Sequence, residues 1–472
     1  MTSVDVAVIG AGPAGLLAAL RAGDLGAKTA LVTREKVGGM AGHDGPVPVR
    51  TLAHAARLVR EARQLSSYGI SGTDERLDYP RLLERVRAVV DEVAEHASLR
   101  AQIASAGIVV HEDAGAATFL DPHTIRTGNG VTVHADRFII CTGGQSRQLP
   151  VPGFELTATH SDAWRLTSVP ATMLVVGGGA TALQVASIFH AFGAKVELFE
   201  RSPRILATED EDVSAAMASC LRNGGMGVHE DFGTIDRFET TAGGVRMWFS
   251  KDGVSKSAEA ALIVIAIGWV ANTSALDLPK AGVAVTSRGF VRVDASLRTS
   301  AENVFAAGDV TGRIMLVPQA LQDGFVAATN AVRGGGITIK DTVYPIGSFT
   351  DPEYAHVGMT EAEARKEHDV VVAVVRFDAT TRTIIDGRTT GFLKLVVDRK
   401  TGFLLGCHVV GERAVDIVQT AAIAITAGMG VAALARVPLS FPTYTGALGR
   451  AAAIATRELN MDVQRSHFAE LL

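Results

Sequence analysis

The sequence predicts an α/β protein made of two glycine-rich βαβ nucleotide-binding folds and a C-terminal α+β domain. Three observations predict this. Short β-branched strands alternate with amphipathic helices over most of the chain, a pattern of parallel sheets covered on both faces. A glycine signature that follows a strand occurs twice. After about Asp341 the texture changes to closely spaced strands and then two alanine-rich helices.

The stretch Val4–Ile9 reads as a fully buried strand, apolar throughout and ended by Gly10. Helical patterns follow at Ala14–Leu25, Asp78–Ala97 and Asp210–Asn223, and strand-like runs at Arg137–Ile140, Met173–Val176, Lys195–Phe199 and Leu262–Ile267. Beyond a boundary near Thr342, Val370–Phe377, Gly391–Asp398 and Gly402–Val410 read as antiparallel strands, with Arg399–Gly402 as a hairpin turn. The helices Val415–Ala427 and Thr445–Glu458 suit either a homodimer surface or core, and composition leaves both open.

The repeat carries the functional reading. VAVIGAGPAG presents Gly10, Gly12 and Gly15; LVVGGGATA presents Gly177, Gly179 and Ala182 in the same register. The first position permits a tight turn, the second lets a pyrophosphate approach the backbone, and the third lets helix and strand pack closely. The pyrophosphate then meets free N–H groups at a helix N-terminus. A ribose-binding acid belongs about 20 residues on. Glu200 holds that place in the second copy; in the first the place falls to Thr33, with Glu35 close by. Two such units imply two dinucleotides, one held tightly and one exchangeable. Glu200 favours NAD, since a carboxylate accepts from a free 2′-hydroxyl and repels a 2′-phosphate, whereas Arg201 and Arg204 are placed to pair a phosphate.

Composition narrows the partners. The 472 residues carry a net charge of −5, so no basic field attracts nucleic acid or anionic lipid. The apolar run Ala260–Ala271 is shorter than the roughly 18–20 residues of a membrane helix. A strand at the very N-terminus leaves no room for a secretory signal. The three cysteines, Cys141, Cys220 and Cys407, are too dispersed for any Cys-x-x-Cys cluster, so no metal site is expected. A long-range disulfide stays open; a reduced, cytoplasmic protein is the simpler expectation.

With these residues in view, the chain resembles the pyridine nucleotide–disulfide oxidoreductases over nearly its whole length. That family includes glutathione reductase, dihydrolipoamide dehydrogenase, mercuric reductase and the soluble transhydrogenases. IICTGG (Ile139–Gly144), IAIGWVANT (Ile265–Thr273) and VFAAGDVTG (Val304–Gly312) resemble its further nucleotide motifs. AGIVVHEDAGAATFLDPHTI and FERSPRIL are similar to the mercuric-reductase-like branch. The resemblance implies two Rossmann-like domains and a dimerisation domain: FAD on residues 1–150 and 273–341, NAD(P) on 151–272, and homodimer formation through 342–472. It implies FAD contacts at Gly39, Thr142, Gly143, Asp309, Gln319 and Ala320, and NAD(P) contacts that include Gly268.

The departures from the family pattern bear most on function. Two glycines normally lead into Cys-x4-Cys, but here Gly38-Gly39 lead into Met40-Ala41-Gly42-His43-Asp44-Gly45-Pro46, so Ala41 and Pro46 stand in the cysteine places. The family's C-terminal His and Glu correspond to Phe441 and Gly446. A His–Glu pair serves to move the proton of a thiol, so loss of all four argues against disulfide reduction. The tail Ser466–Leu472 has no cysteine, which argues against mercury reduction. The family's Lys–Glu pair beside the flavin becomes Arg50 and Gln184, and Arg50 keeps the positive charge.

Hydride transfer from nicotinamide to flavin needs ring stacking and no sulfur. Val317-Pro318-Gln319-Ala320 suits a helix start that favours negative charge on the flavin. The expected activity is therefore transfer of two electrons from NAD(P)H, with NADH favoured, through FAD to a small organic acceptor such as a quinone. Phe441 and Tyr444 of the second copy would flank the acceptor, with Tyr444 or His43 as proton source. Transhydrogenation between NADH and NADP, or flavin binding without turnover, are the alternative expectations.

Overall fold

Side chains of Thr2–Ile9 enter two different cores, alternating from Val6 to Ile9, as befits a central strand of its sheet. Val4, Ala7 and Ile9 pack with Phe119, Phe138 and Phe290. Val6 and Val8 pack on the other face with Ala18, Ala22 and Phe305. The strand runs parallel to Thr29–Val32 on one side and Thr132–Ile140 on the other. Val109–His111 and Val304–Ala306 extend the parallel sheet, and the antiparallel pair Ala117–Asp121 and Thr124–Thr127 joins through Thr132–Ile140. Burial on both faces explains the uninterrupted apolar strand sequence. Helices Pro13–Asp24 and Val317–Arg333 pack together at Gly324, where a Cβ would stand 2.3 Å from the Ala14 carbonyl oxygen.

The computed structural model describes residues 2–71, 77–97, 99–339 and 343–461. The expected boundary at 341/342 and the tail Ser466–Leu472 lie outside these residues. The chain divides into two units: Met1–Leu52, Asp78–Arg147 and Gly268–Thr342 form one, and Ala53–Leu77, Gln148–Ile267 and Val343–Leu472 the other.

In the second unit a parallel sheet runs in the order Gly227–Glu230, Lys195–Glu200, Thr172–Val176, Leu262–Ile265, Ala158–Thr159. A meander of Thr234–Thr241, Gly244–Lys251 and Val254–Ala260 has no counterpart in the sequence expectations. Its last strand is almost wholly exposed, so it has no apolar alternation to betray it. The C-terminal sheet is antiparallel, in the order Ile346–Ser348, Tyr354–Gly358, Leu404–Val410, Phe392–Asp398, Val370–Arg376. Helices Ala414–Thr426 and Gly446–Glu458 lie on it. Ala421, Ala424, Ala447, Ala451, Ala452 and Ala455 are buried in its core, so the small residues serve close packing inside the chain. Ile423 on the first of these helices is exposed.

Candidate active site

Each glycine of the first signature does a separable job. Gly10 has φ +106°, and a Cβ there would lie 2.3 Å from the Cys141 carbonyl oxygen. At Gly15 a Cβ would lie 1.8 Å from the Gly10 carbonyl oxygen. At Gly12 a Cβ would meet nothing within 4 Å. The fold itself thus demands glycine at the first and third positions, whereas at the second the open space faces outward. Gly39, φ +58°, presses on Gly12: its Cβ would be 2.7 Å from the Gly12 Cα. Gly143, φ +72°, leaves open space beside Thr142, whose Oγ1 is buried with no hydrogen-bond partner among the described residues. Thr33 is buried at the end of Thr29–Val32, and Glu35 is exposed.

Asp309 lies in the turn Gly308–Thr311, its carboxyl pushed above the usual range by burial and by the Asp323 charge. Helix Val317–Arg333 starts from Leu316 with Pro318 in its first turn, as expected. The Ala320 N–H closes on the Leu316 carbonyl. Gln319, expected at the FAD site as part of this helix start, lies in the first turn. Its side chain is 0% exposed and turned into the protein, where Oε1 accepts from the N–H groups of Ile314 at 3.1 Å and Met315 at 2.8 Å. Only its backbone remains to serve a ligand.

The second signature repeats the design. Gly177 has φ +119° and a Cβ would lie 2.3 Å from the Ala266 carbonyl oxygen, while Gly179 is open. Ala182, fully buried, shows that a Cβ fits at the third position here. Glu200 ends its strand against Gly178, whose added Cβ would be 2.7 Å from Oε2, and Oε1 accepts from the Ser202 N–H at 2.5 Å. Arg201 is exposed. The Arg204 guanidinium donates to the carbonyls of Glu209 at 3.0 Å and Ala207 at 3.2 Å and so braces its own loop. Gly268, φ +104°, belongs to the first unit, where its carbonyl accepts from the Arg147 N–H at 3.0 Å.

The segment in the cysteine places forms two helices, Gly39–His43 and Pro46–Ala62. Pro46 and Arg50 share a face of the second, one turn apart. His43 turns back on the preceding loop, its Nε2 3.0 Å from the Val37 carbonyl oxygen. Arg50 falls in the first unit and Gln184 in the second, the Gln184 amide 3.4 Å from the Ala180 carbonyl. Phe441 is exposed. Tyr444 donates to Asp386 at 3.0 Å, and burial together with that carboxylate raises the phenol far above its usual range. His408 is fully buried, its Nε2 2.9 Å from the Met359 carbonyl oxygen.

Sequence reasoning passed over Asp323 and Arg313. Asp323 is fully buried and takes the Arg313 guanidinium at 2.7 Å. The only sequence signal is the spacing of Gln319 and Asp323, one helical turn apart and just before Gly324.

Two glycine turns, each closing a strand–helix junction beneath an open second glycine, define a protein that binds two dinucleotides. Residues 4–324 match the pyridine nucleotide-disulphide oxidoreductase family and 344–452 its dimerisation domain. The chain belongs to this family of NAD(P)H-dependent flavoprotein oxidoreductases. It is 34% identical to a dihydrolipoyl dehydrogenase of Thermus scotoductus, over 96% of this chain and 97% of that one. Identity to a dihydrolipoyl dehydrogenase of Bacillus subtilis is 30%, over 96% and 98%. The HOCl-induced flavoprotein disulfide reductase RclA from Escherichia coli, solved as a Cu(II) complex, superposes with a TM-score of 0.84 at 25% identity, covering 96% of this chain and all of that one. The residues present fit the family's FAD. The open Gly12 leaves room for a pyrophosphate, and the unpartnered Thr142 hydroxyl and the Asp309 carboxyl offer it polar groups.

Proposed function

We propose that this chain is a homodimeric, cytoplasmic FAD-dependent oxidoreductase that carries two electrons from NADH to a small organic acceptor such as a quinone, without a protein disulfide. The sulfur inventory carries this reading. Cys141, Cys220 and Cys407 are all free thiols, and Cys141 and Cys407 are buried. Burial pushes all three above the usual thiol range, the opposite of what a reactive thiolate needs. None lies in Gly38–Arg50. The relatives' names point to dithiol chemistry, but nothing at Ala41 or Pro46 can form a disulfide.

Bound FAD would supply hydride acceptance from nicotinamide and electron delivery to the acceptor. The chain's own residues would do the rest. Gly12 and Gly179 admit the two pyrophosphates against helix N-termini. Glu200 accepts from the ribose of NADH. The start of Val317–Arg333 and the permanent charge of Arg50 favour negative charge on the flavin. Phe441 of a second copy offers an apolar wall to a flat acceptor. In this reading residues 1–150 and 273–341 hold FAD, 151–272 hold NADH, and 342–472 pair the two copies.

An anaerobic reductive titration tests it. The protein should take up two electrons per FAD with no thiolate charge-transfer band, and a variant with all three cysteines replaced should turn over within about twofold of the parent. Uptake of four electrons, or loss of turnover on replacing the cysteines, would overturn the reading.

A further inference from the structure

Asp323 is 0% exposed, and every contact it makes lies beneath the FAD cradle. Oδ1 accepts from Arg313 Nη1 at 2.7 Å; Oδ2 accepts from the Gly308 N–H at 3.3 Å and from the Gln319 amide. One carboxylate thereby ties together the turn that carries Asp309, the loop Arg313–Met315 and the first turn of Val317–Arg333. Gly308 also sits between the two helices that frame the cradle, since a Cβ on it would lie 3.1 Å from the Ala14 Cβ and 3.4 Å from the Ala320 Cβ. Burial raises Asp323 and Arg313 opposes that rise, while the Asp323 charge adds to the upward shift of Asp309.

An ion pair with one member fully buried is a poor device for stability, because desolvation of that member offsets much of the attraction. Its partners here point to another use. Electron uptake by a bound cofactor adds negative charge, which a buried carboxylate opposes and a guanidinium favours, and both effects are strong in a low-dielectric interior.

We propose that Asp323 and Arg313 are a positioning pair for the FAD site: Asp323 fixes the Asp309 turn and the helix start, and the balance of the buried carboxylate and its half-buried guanidinium partner sets the reduction potential of the bound FAD. This rests on the FAD reading above. The two charges act with opposite sign, which a purely structural role cannot imitate.

The test uses purified holoenzyme and measures FAD content, FAD affinity after apoprotein reconstitution, and the two-electron midpoint potential by dye equilibration. Asp323→Asn should move the potential positive by about 30 mV, a tenfold change in the two-electron equilibrium. Arg313→Gln should move it negative, and the double variant should return near the parent. Asp323→Glu should keep the parent potential with weakened FAD affinity. If Asp323→Asn does not fold, the negative shift of Arg313→Gln still decides. Shifts of the two single variants in the same direction, or no shift in either, overturn the proposal. Absence of FAD from the reconstituted parent protein would instead sink the FAD reading itself.

Discussion

Lys394 is 2% exposed and holds its ammonium 3.0 Å from the Asp210 carboxylate. Lys394 lies on the strand Phe392–Asp398, while Asp210 caps the helix Glu211–Asn223. Asp212 in the first turn of that helix adds a contact at 2.7 Å, and His408, paired with Lys394 across the sheet, brings Nε2 to 3.4 Å from Asp210. Burial works against the Asp210 charge, yet the Glu361 N–H, His408 and Lys394 hold the carboxyl below its usual range. Lys394→Met leaves that carboxylate buried without its cation. We expect a loss of about 3–5 kcal/mol in chemical denaturation, partly recovered when Asp210→Asn is added. An unchanged midpoint would show that the cluster is solvated in solution.

The two turn glycines of the first signature separate folding from binding. Gly12→Ala places its Cβ in open space, so the variant should keep the parent melting temperature and purify with little or no FAD. Gly10→Ala drives a Cβ to 2.3 Å from a backbone oxygen at φ +106° and should yield little folded protein. Normal FAD content in Gly12→Ala would place the cofactor elsewhere.

Glu200 should decide the nucleotide. Glu200→Ala removes an acceptor for the 2′-hydroxyl, and KM for NADH should rise about tenfold, equivalent to roughly 1.4 kcal/mol. KM for NADPH should stay level or fall. Steady-state kinetics with both nucleotides checks this, and an unaltered NADH/NADPH ratio would leave Glu200 as a brace for Ser202 alone.

Glu353 should make stability fall as pH rises. Burial, and then the neighbouring Glu412 carboxylate, push its carboxyl from an ordinary 4.5 up to about 7. Between those values the folded chain binds a proton that the unfolded chain releases. The stabilisation is therefore fully present below the unfolded value and is lost as pH rises through about 7. Thermal melts at pH 5 and pH 8 should show Glu353→Gln losing less stability than the parent over this interval, the difference being on the order of 2 kcal/mol. Parallel losses would mean that Glu353 ionises freely.

Both nucleotide signatures and the strands before them were legible in the sequence, because each shows in the residues of one βαβ unit. A buried strand announces itself by an apolar run that stops at a glycine, and Thr2–Ile9 and Thr172–Val176 fall within two residues of the stretches expected. The glycine that ends each strand is visible there too, although the close approach that forbids a Cβ at Gly10 and Gly177 comes from the distant carbonyls of Cys141 and Ala266.

What only the tertiary structure decided concerns polar side chains that are paired over long distances. In the sequence, Lys394 and Asp210 look like surface charges; burial turns them into an ion pair whose members come from different elements. The sequence gives no sign that the Gln319 side chain braces the loop before its own helix, because only the folded helix turns that position inward. The alanines of Ala414–Thr426 and Gly446–Glu458 fit a core or an interface equally well until the sheet beneath them is in place. Periodicity records which face of an element is apolar, whereas the partner of a buried charge is fixed only when distant segments of the chain meet.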